Sequence, residues 1–281
     1  MTDAPPPTVF AALRSFAYDP RGVCPADNGD QIDVAEEFHE ASKVAAAFPG
    51  QALGPAGRQL ATSSEAPFAL GRKALVHSGA PIDLAAPASL ELDLRDVTYR
   101  RRSWLPEDCG ALGLEDVGTI LGLSAGSAPA RPGLRVVPSG GAMYPLDVIA
   151  LAHRVDGLAR GTYVYDPIGH ALLARGDVDP VQFHEGASAS VTTPQPALTL
   201  AVVATFARSR AKYGLRGYRF ALLEAGHLVQ AAVTIATALG LASLPWGGFV
   251  DAAVDARLEL DGLERSCVYL LAISAPDDEC G

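Results

Sequence analysis

Apolar and polar positions follow no regular order in the first third of the chain and become sharply patterned after Leu90. Leu114, Val117, Ile120 and Leu121 recur at the spacing of one helical face and predict a helix over 114–123. Segments 134–137 and 146–153 read as strands separated by a Pro- and Gly-rich turn. Segments 163–166 and 171–174 predict a hairpin that turns over 166–169. The run 197–206 is apolar throughout and carries β-branched residues, the pattern of a buried strand. Phe220, Leu223, His227, Gln230 and Thr234 recur at helical spacing within 218–241, a long helix with Gly240 placed to cap it. Segment 267–274 closes the pattern as a strand. Strands interleaved with one long buried helix predict an α+β or mixed α/β architecture.

Residues 1–89 differ in pattern from the remainder of the chain and are expected to form a helical and irregular extension, whose role their residues do not reveal. A helix is predicted over 33–48, with Glu36 and Glu37 early and Lys43 late, as the helix dipole favours. Segment 50–87 is rich in Ala, Gly, Pro and Ser and shows little periodicity. Residues 90–281 are expected to carry the functional domain.

Composition narrows the function classes. The chain has 281 residues, of which 49% are hydrophobic, enough for one substantial core or two modest ones. A net charge of −10 argues against a nonspecific grip on nucleic acid or anionic lipid, so an anionic ligand needs a local cluster of donors. The Pro-rich N-terminus does not read as a signal peptide, and Glu224, His227 and Gln230 interrupt the longest apolar stretch, against a membrane span. Cys24, Cys109, Cys267 and Cys280 form no C-x-x-C, which argues against a zinc site and for reduced thiols in a cytoplasmic protein. No metal site is expected.

Five segments could carry chemistry. Arg100, Arg101, Arg102 and Ser103 offer forked, charge-assisted hydrogen bonds to a phosphate, although such runs are often solvated basic patches. Pro138-Ser139-Gly140-Gly141-Ala142-Met143-Tyr144-Pro145 has paired glycines that would let a flat ligand approach the backbone; a plain structural turn is the alternative. Lys212 and Tyr213 precede the long helix, where a lysine can serve as a base if its amine is neutral, or can simply mark a basic helix entry. Glu224 and His227 share a helical face without the spacing of a zinc motif, so a buried hydrogen-bonded histidine is expected there. Pro245-Trp246-Gly247-Gly248-Phe249 again pairs glycines with aromatics. Dinucleotide-binding, P-loop and hydrolase signatures are absent.

Taken in order, Arg-Arg-Ser, PSGGAMYPLD, KYGLRGYRFALLEAGHLVQ, GLASLPWGGF and CVYLLAIS resemble the McbC/SagB-type azoline dehydrogenases of the FMN-dependent nitroreductase superfamily, over roughly 90–274. The resemblance implies an α+β nitroreductase fold, with a mainly antiparallel sheet, that dimerises with FMN at the interface. It implies that Arg101, Arg102 and Ser103 hold the flavin's phosphate, ribityl chain or pyrimidine edge. Pro138, Ser139, Gly140, Gly141 and Met143 would line the isoalloxazine, with Pro245, Gly247 and Gly248 near its reactive nitrogen. Lys212 and Tyr213 match the family's catalytic pair. Two positions depart from the pattern: Leu105 stands where a further arginine is common, and Ala231 where an asparagine is.

The resemblance implies oxidation of thiazoline or oxazoline rings in a ribosomally made peptide, beside a cyclodehydratase. A flavin reductase acting on nitro, quinone or dehydroamino-acid substrates is the alternative activity. A catalytically degenerate scaffold of a biosynthetic complex is the non-enzymatic one.

Overall fold

The computed structural model describes residues 34–43, 75, 77–91, 93–131, 133–176, 178–187 and 194–276. The chain separates into two units, Met1–Lys43 and Val44–Gly281. In the first, helix α1 (Val34–Ala41) begins where the sequence pattern places a helix, and its predicted continuation over 44–48 lies outside the described residues.

The second unit is built on a seven-stranded sheet whose bonded neighbours all run antiparallel. Its strands are β1 (Ile82–Asp83), β3 (Leu146–Ala152), β5 (Gly161–Asp166), β6 (Ala171–Ala174), β7 (Leu198–Thr205), β8 (Ala242–Trp246) and β9 (Arg265–Ser274). Across the sheet the order is β1-β6-β5-β3-β7-β9-β8. Strands β2 (Leu112–Gly113) and β4 (Val155–Asp156) form a separate parallel pair. Edge strand β1 lies within 1–89, so the sheet reaches further toward the N-terminus than the motifs do.

Both sheet faces are covered, which explains the unbroken apolar run of β7. Leu198, Leu200, Val202 and Ala204 face one way, into a core shared with α3 (Leu114–Ser124) and α6 (Arg216–Ala238). Ala201 and Val203 face the other, into a core with Phe183 of α4 (Pro180–Ala187) and Val254 of α7 (Asp251–Arg257). By length and composition α6 could cross a membrane, but 56% of that stretch is buried within the fold, where packing accounts for its apolar character. Leu241 N–H donates to Ala236 O and Gly240 N–H to Thr237 O, with Gly240 at φ +76, the paired bonds of a Schellman cap.

Segment 134–137 is not a strand. Only an isolated bridge, Arg135 to Ser127, is formed there. Arg135 is taken up instead by the next loop: its N–H donates to the Tyr144 hydroxyl, its Nη1 donates to Leu146 O, and its guanidinium lies 5.1 Å from the Tyr144 ring centre. Helices α2 (Leu94–Arg100) and α5 (Phe206–Tyr213) complete the unit.

Candidate active site

The loop 138–145 connects the irregular segment to β3 and holds an unusual backbone. Gly141, Ala142 and Tyr144 have φ of +63, +55 and +45, a conformation costing L-residues about 1–2 kcal/mol each. Several bonds hold it in place. Ser139 Oγ accepts Tyr144 N–H at 3.0 Å, and Ala142 N–H donates to Ser139 O. Arg208 Nη1 donates to Tyr144 O at 3.2 Å. Met143 and Tyr144 are buried, Met143 completely, so they anchor the loop and Met143 presents no exposed atom to a ligand.

Lys212 and Tyr213 close the last turn of α5, a short helix rather than the mere lead-in to α6 that the sequence pattern suggests. Gly217 lets α5 and α6 touch: a Cβ there would lie 2.6 Å from the Ser209 carbonyl carbon. That crossing carries Lys212 and Tyr213 under the glycine loop. A Cβ on Gly141 would collide with the Tyr213 hydroxyl and stand 2.7 Å from Lys212 Nζ, and one on Gly140 would stand 3.1 Å from the Phe220 ring. Tyr213 meets Phe220 edge-on, with ring centres 4.9 Å apart. The paired glycines and the Lys-Tyr pair, read as separate segments in the sequence, thus form one cluster.

Beneath this cluster lies a group of buried charges. Glu224 on α6 is 3% exposed. Burial raises its carboxyl to about 7, against the opposing pull of Ser139, Arg135 and Arg208. Arg208 Nη1 donates to Asp147 Oδ1 at 3.0 Å, and its Nη2 lies 3.0 Å from Oδ2, with both side chains enclosed. Glu224 and Asp147 lie within the motifs, but the spacing marks Glu224 only as a partner for His227 and marks no role for Asp147 or Arg208; the signal for Glu224 is an acid on the same helical face as Ala221, Ala225 and Leu228, which are buried. His227 is exposed, contrary to the buried histidine expected from the sequence, because it sits on the outer face of α6 while Glu224 points inward.

The remaining segments form a second group. Trp104 N–H donates to Ser243 O at 3.0 Å, which docks the Arg-Arg-Ser segment against β8. Arg101 Nη1 donates to Ser103 Oγ, while Arg102 Nη1 donates to Tyr99 O and Arg101 O. Arg102 and Ser103 are exposed. Pro245 and Trp246 end β8, and Gly247 and Gly248 come next, exposed, with no atom within 4 Å of where a Cβ would stand on either. A cleft of about 470 Å³ runs from Val137 and Pro138 along Gly226, His227, Gln230 and Thr234. Exposed guanidiniums beside a hydroxyl, and bare glycine backbone open to a flat approach, are donors and surfaces that fit a phosphorylated planar ring system. Among the described residues no group of three or more metal-ligating side chains comes together.

Residues 114–273 match the nitroreductase family model. The chain belongs to the nitroreductase family. It is 33% identical over 177 residues to a nitroreductase-like protein of Methanocaldococcus jannaschii, covering 62% of this chain and 87% of that protein. It is also 33% identical over 155 residues to the microcin B17-processing protein McbC of Escherichia coli, covering 52% of this chain and 56% of McbC. The fold matches a nitroreductase-type protein of Anabaena variabilis with a TM-score of 0.67 at 19% identity, over 91% of this chain and 52% of the other. It matches a chain of the E. coli microcin synthetase McbBCD complex, solved with truncated pro-MccB17 bound, with a TM-score of 0.54 at 23% identity, over 89% and 99%. This nitroreductase is McbC-like, an oxidoreductase of a family whose members generally bind flavin, usually FMN.

Proposed function

We propose that this nitroreductase is an FMN-dependent azoline dehydrogenase that converts thiazoline or oxazoline rings of a ribosomally made peptide into the aromatic azoles. The observation that carries the reading is the contact of Gly141 with both Lys212 and Tyr213, which sets a candidate base and a hydroxyl against a backbone bare of side chains. The kinship to McbC supports a peptide substrate and a companion cyclodehydratase. Arg101, Arg102 and Ser103 would hold the flavin's phosphate end, Ser139, Gly140 and Gly141 its ring, and Pro245, Gly247 and Gly248 the region of its reactive nitrogen. A homodimer would unite the two groups of residues.

Bound at these residues, a flavin would supply a hydride acceptor for the ring carbon, reoxidisable by dioxygen. The chain's own residues supply the rest. The Cα–H of the azoline is acidified by the adjacent C=N and carbonyl, and Lys212 takes it as a proton. Tyr213 orients or relays that proton. Loss of the proton and the hydride leaves the ring with one more double bond. The loop fixes the ring relative to Lys212, the positional term on which such transfers depend.

Replacement of Lys212 by alanine tests the assignment. The variant is expected to bind FMN as the parent does and to lose azoline turnover by about 10²–10⁴-fold, the usual contribution of a positioned base. Full FMN occupancy with normal turnover would refute it.

A further inference from the structure

We propose that Phe220 is a positioning residue for Tyr213: its ring, carried by α6 and seated against Gly140, holds the phenol in the orientation that brings its hydroxyl to Gly141 beside Lys212. The consequence for turnover rests on the function proposed above; the orientation itself does not.

Tyr213 is the last residue of α5, and Gly214, at φ +56, ends the helix directly after it. Helix geometry leaves a side chain there two of its three χ1 wells, so tertiary contacts choose between them. Among the described residues no hydrogen bond holds the Tyr213 hydroxyl. Two side chains bear on the ring instead. Phe220 meets it edge-on, with the ring planes at 86° and the centres 4.9 Å apart, and Lys212 Nζ stands 5.4 Å from its centre. The lysine ammonium rides on a flexible four-carbon stem and can follow the phenol. Phe220 is a rigid ring on another helix, so it is the partner that imposes a direction.

The placement of Phe220 suits that task. It follows Gly217 by three residues and shares the face of α6 that touches α5 at Ser209. Ala221, beside it, is fully buried, and α6 runs on to Ala238, so its backbone is fixed by the core and not by the site. The ring also meets the loop: a Cβ on Gly140 would stand 3.1 Å from its Cδ2 and 3.3 Å from its Cγ, closer than carbon atoms pack. The first glycine of the pair thus makes room for Phe220 and the second for Tyr213. The contacts close a circuit, from Gly140 to Phe220, on to Tyr213, and from Tyr213 and Lys212 back to Gly141. An aliphatic side chain at 220 would fill much of the same space without the edge-to-face preference that fixes the angle between two rings.

The nuclear Overhauser effect between the Tyr213 ring protons and the Gly141 α-protons reads the orientation directly. It is measured on the flavin-free full chain, with tyrosine and glycine protonated in a deuterated background, and Tyr213→Phe assigns the cross-peak. The parent should show it. Phe220→Leu should lose it while the other glycine α-proton peaks keep their positions, and Phe220→Met gives the same reading if the leucine variant does not fold. A missing cross-peak in the parent, its survival at full strength in either variant, or loss of the fold in both overturns the proposal.

With FMN and an azoline peptide, Phe220→Leu should lower kcat by about tenfold and change KM by less than about twofold, because it misdirects the pair without touching the peptide. Phe220→Tyr keeps the ring and should restore kcat to within about twofold of the parent. In a Tyr213→Phe background the leucine substitution should cost less than about twofold, since the hydroxyl it directs is gone. An equal loss in both backgrounds would contradict the proposal. The cross-peak needs no azoline chemistry, so failure there is distinct from failure of the Lys212 assignment.

Discussion

Gly141 and Tyr213 meet so closely that the space where a Cβ would stand on the glycine is taken by the tyrosine hydroxyl. The contact joins a loop leading into β3 to the end of α5, segments about 70 residues apart in the chain.

Substitution of that glycine should therefore be penalised twice. Gly141→Ala forces a left-handed alanine, costing about 1–2 kcal/mol, and drives its methyl into Tyr213 and Lys212. We expect a lower thermal midpoint and a loss of turnover of about 10²-fold or more from displacement of the pair. Gly247→Ala is the control, because its surroundings are open. It should change the stability of the flavin-free protein by no more than about 0.5 kcal/mol while weakening FMN in a fluorescence titration.

The buried ion pair makes a prediction about stability alone. Asp147→Ala removes the enclosed carboxylate that balances the charge of Arg208, a loss of about 3–5 kcal/mol in denaturant unfolding. The double variant Arg208→Met with Asp147→Leu removes both charges and should recover most of that loss. Equal destabilisation in the single and double variants would show that the pair's geometry, rather than the unbalanced charge, carries the energy.

Two buried groups give opposite pH dependences. Burial, with the neighbouring His184 and Arg154, lowers His153 from 6.5 to about 4, so the folded chain resists a proton that the unfolded chain accepts. Its contribution is present above 6.5 and is lost as pH falls toward 4, a change of up to about 3 kcal/mol. Glu224 is raised from 4.5 to about 7, so its contribution is present below 4.5 and is lost as pH rises through 7, again by up to about 3 kcal/mol. Between 4.5 and 6.5 the two offset one another. Chemical denaturation of Glu224→Gln should expose the histidine alone, with stability climbing steadily from about pH 4 to about pH 6.5. A variant whose stability stays level over that range would contradict the burial of His153 as the cause.

Much of the fold was legible because its elements are regular and covered. The hairpin of β5 and β6, strand β7 and helix α6 each carry an apolar pattern long enough to name, and Gly240 marks the end of the helix. Strands β1, β2 and β4 have two residues each, too few for any periodicity. Helix α5 reads FARSRAKY, with three cations among its eight residues, so its apolar contacts are too few to stand out. Segment 134–137 misled because its apolar residues flank Arg135, which the Tyr144 loop recruits in place of a strand partner. The candidate site was visible as motifs, with Glu224 legible only as a neighbour of His227, while the roles of Arg135, Arg208 and Asp147 were not. Their roles come from tertiary placement, which no local spacing encodes.

The most direct test is mass spectrometry of an azoline-containing peptide incubated in air with the FMN-loaded protein. The account predicts a mass loss of two hydrogens per ring, abolished by Lys212→Ala. A peptide left unchanged by a fully loaded protein, whose flavin is instead bleached rapidly by NAD(P)H, would contradict it and identify a reductase.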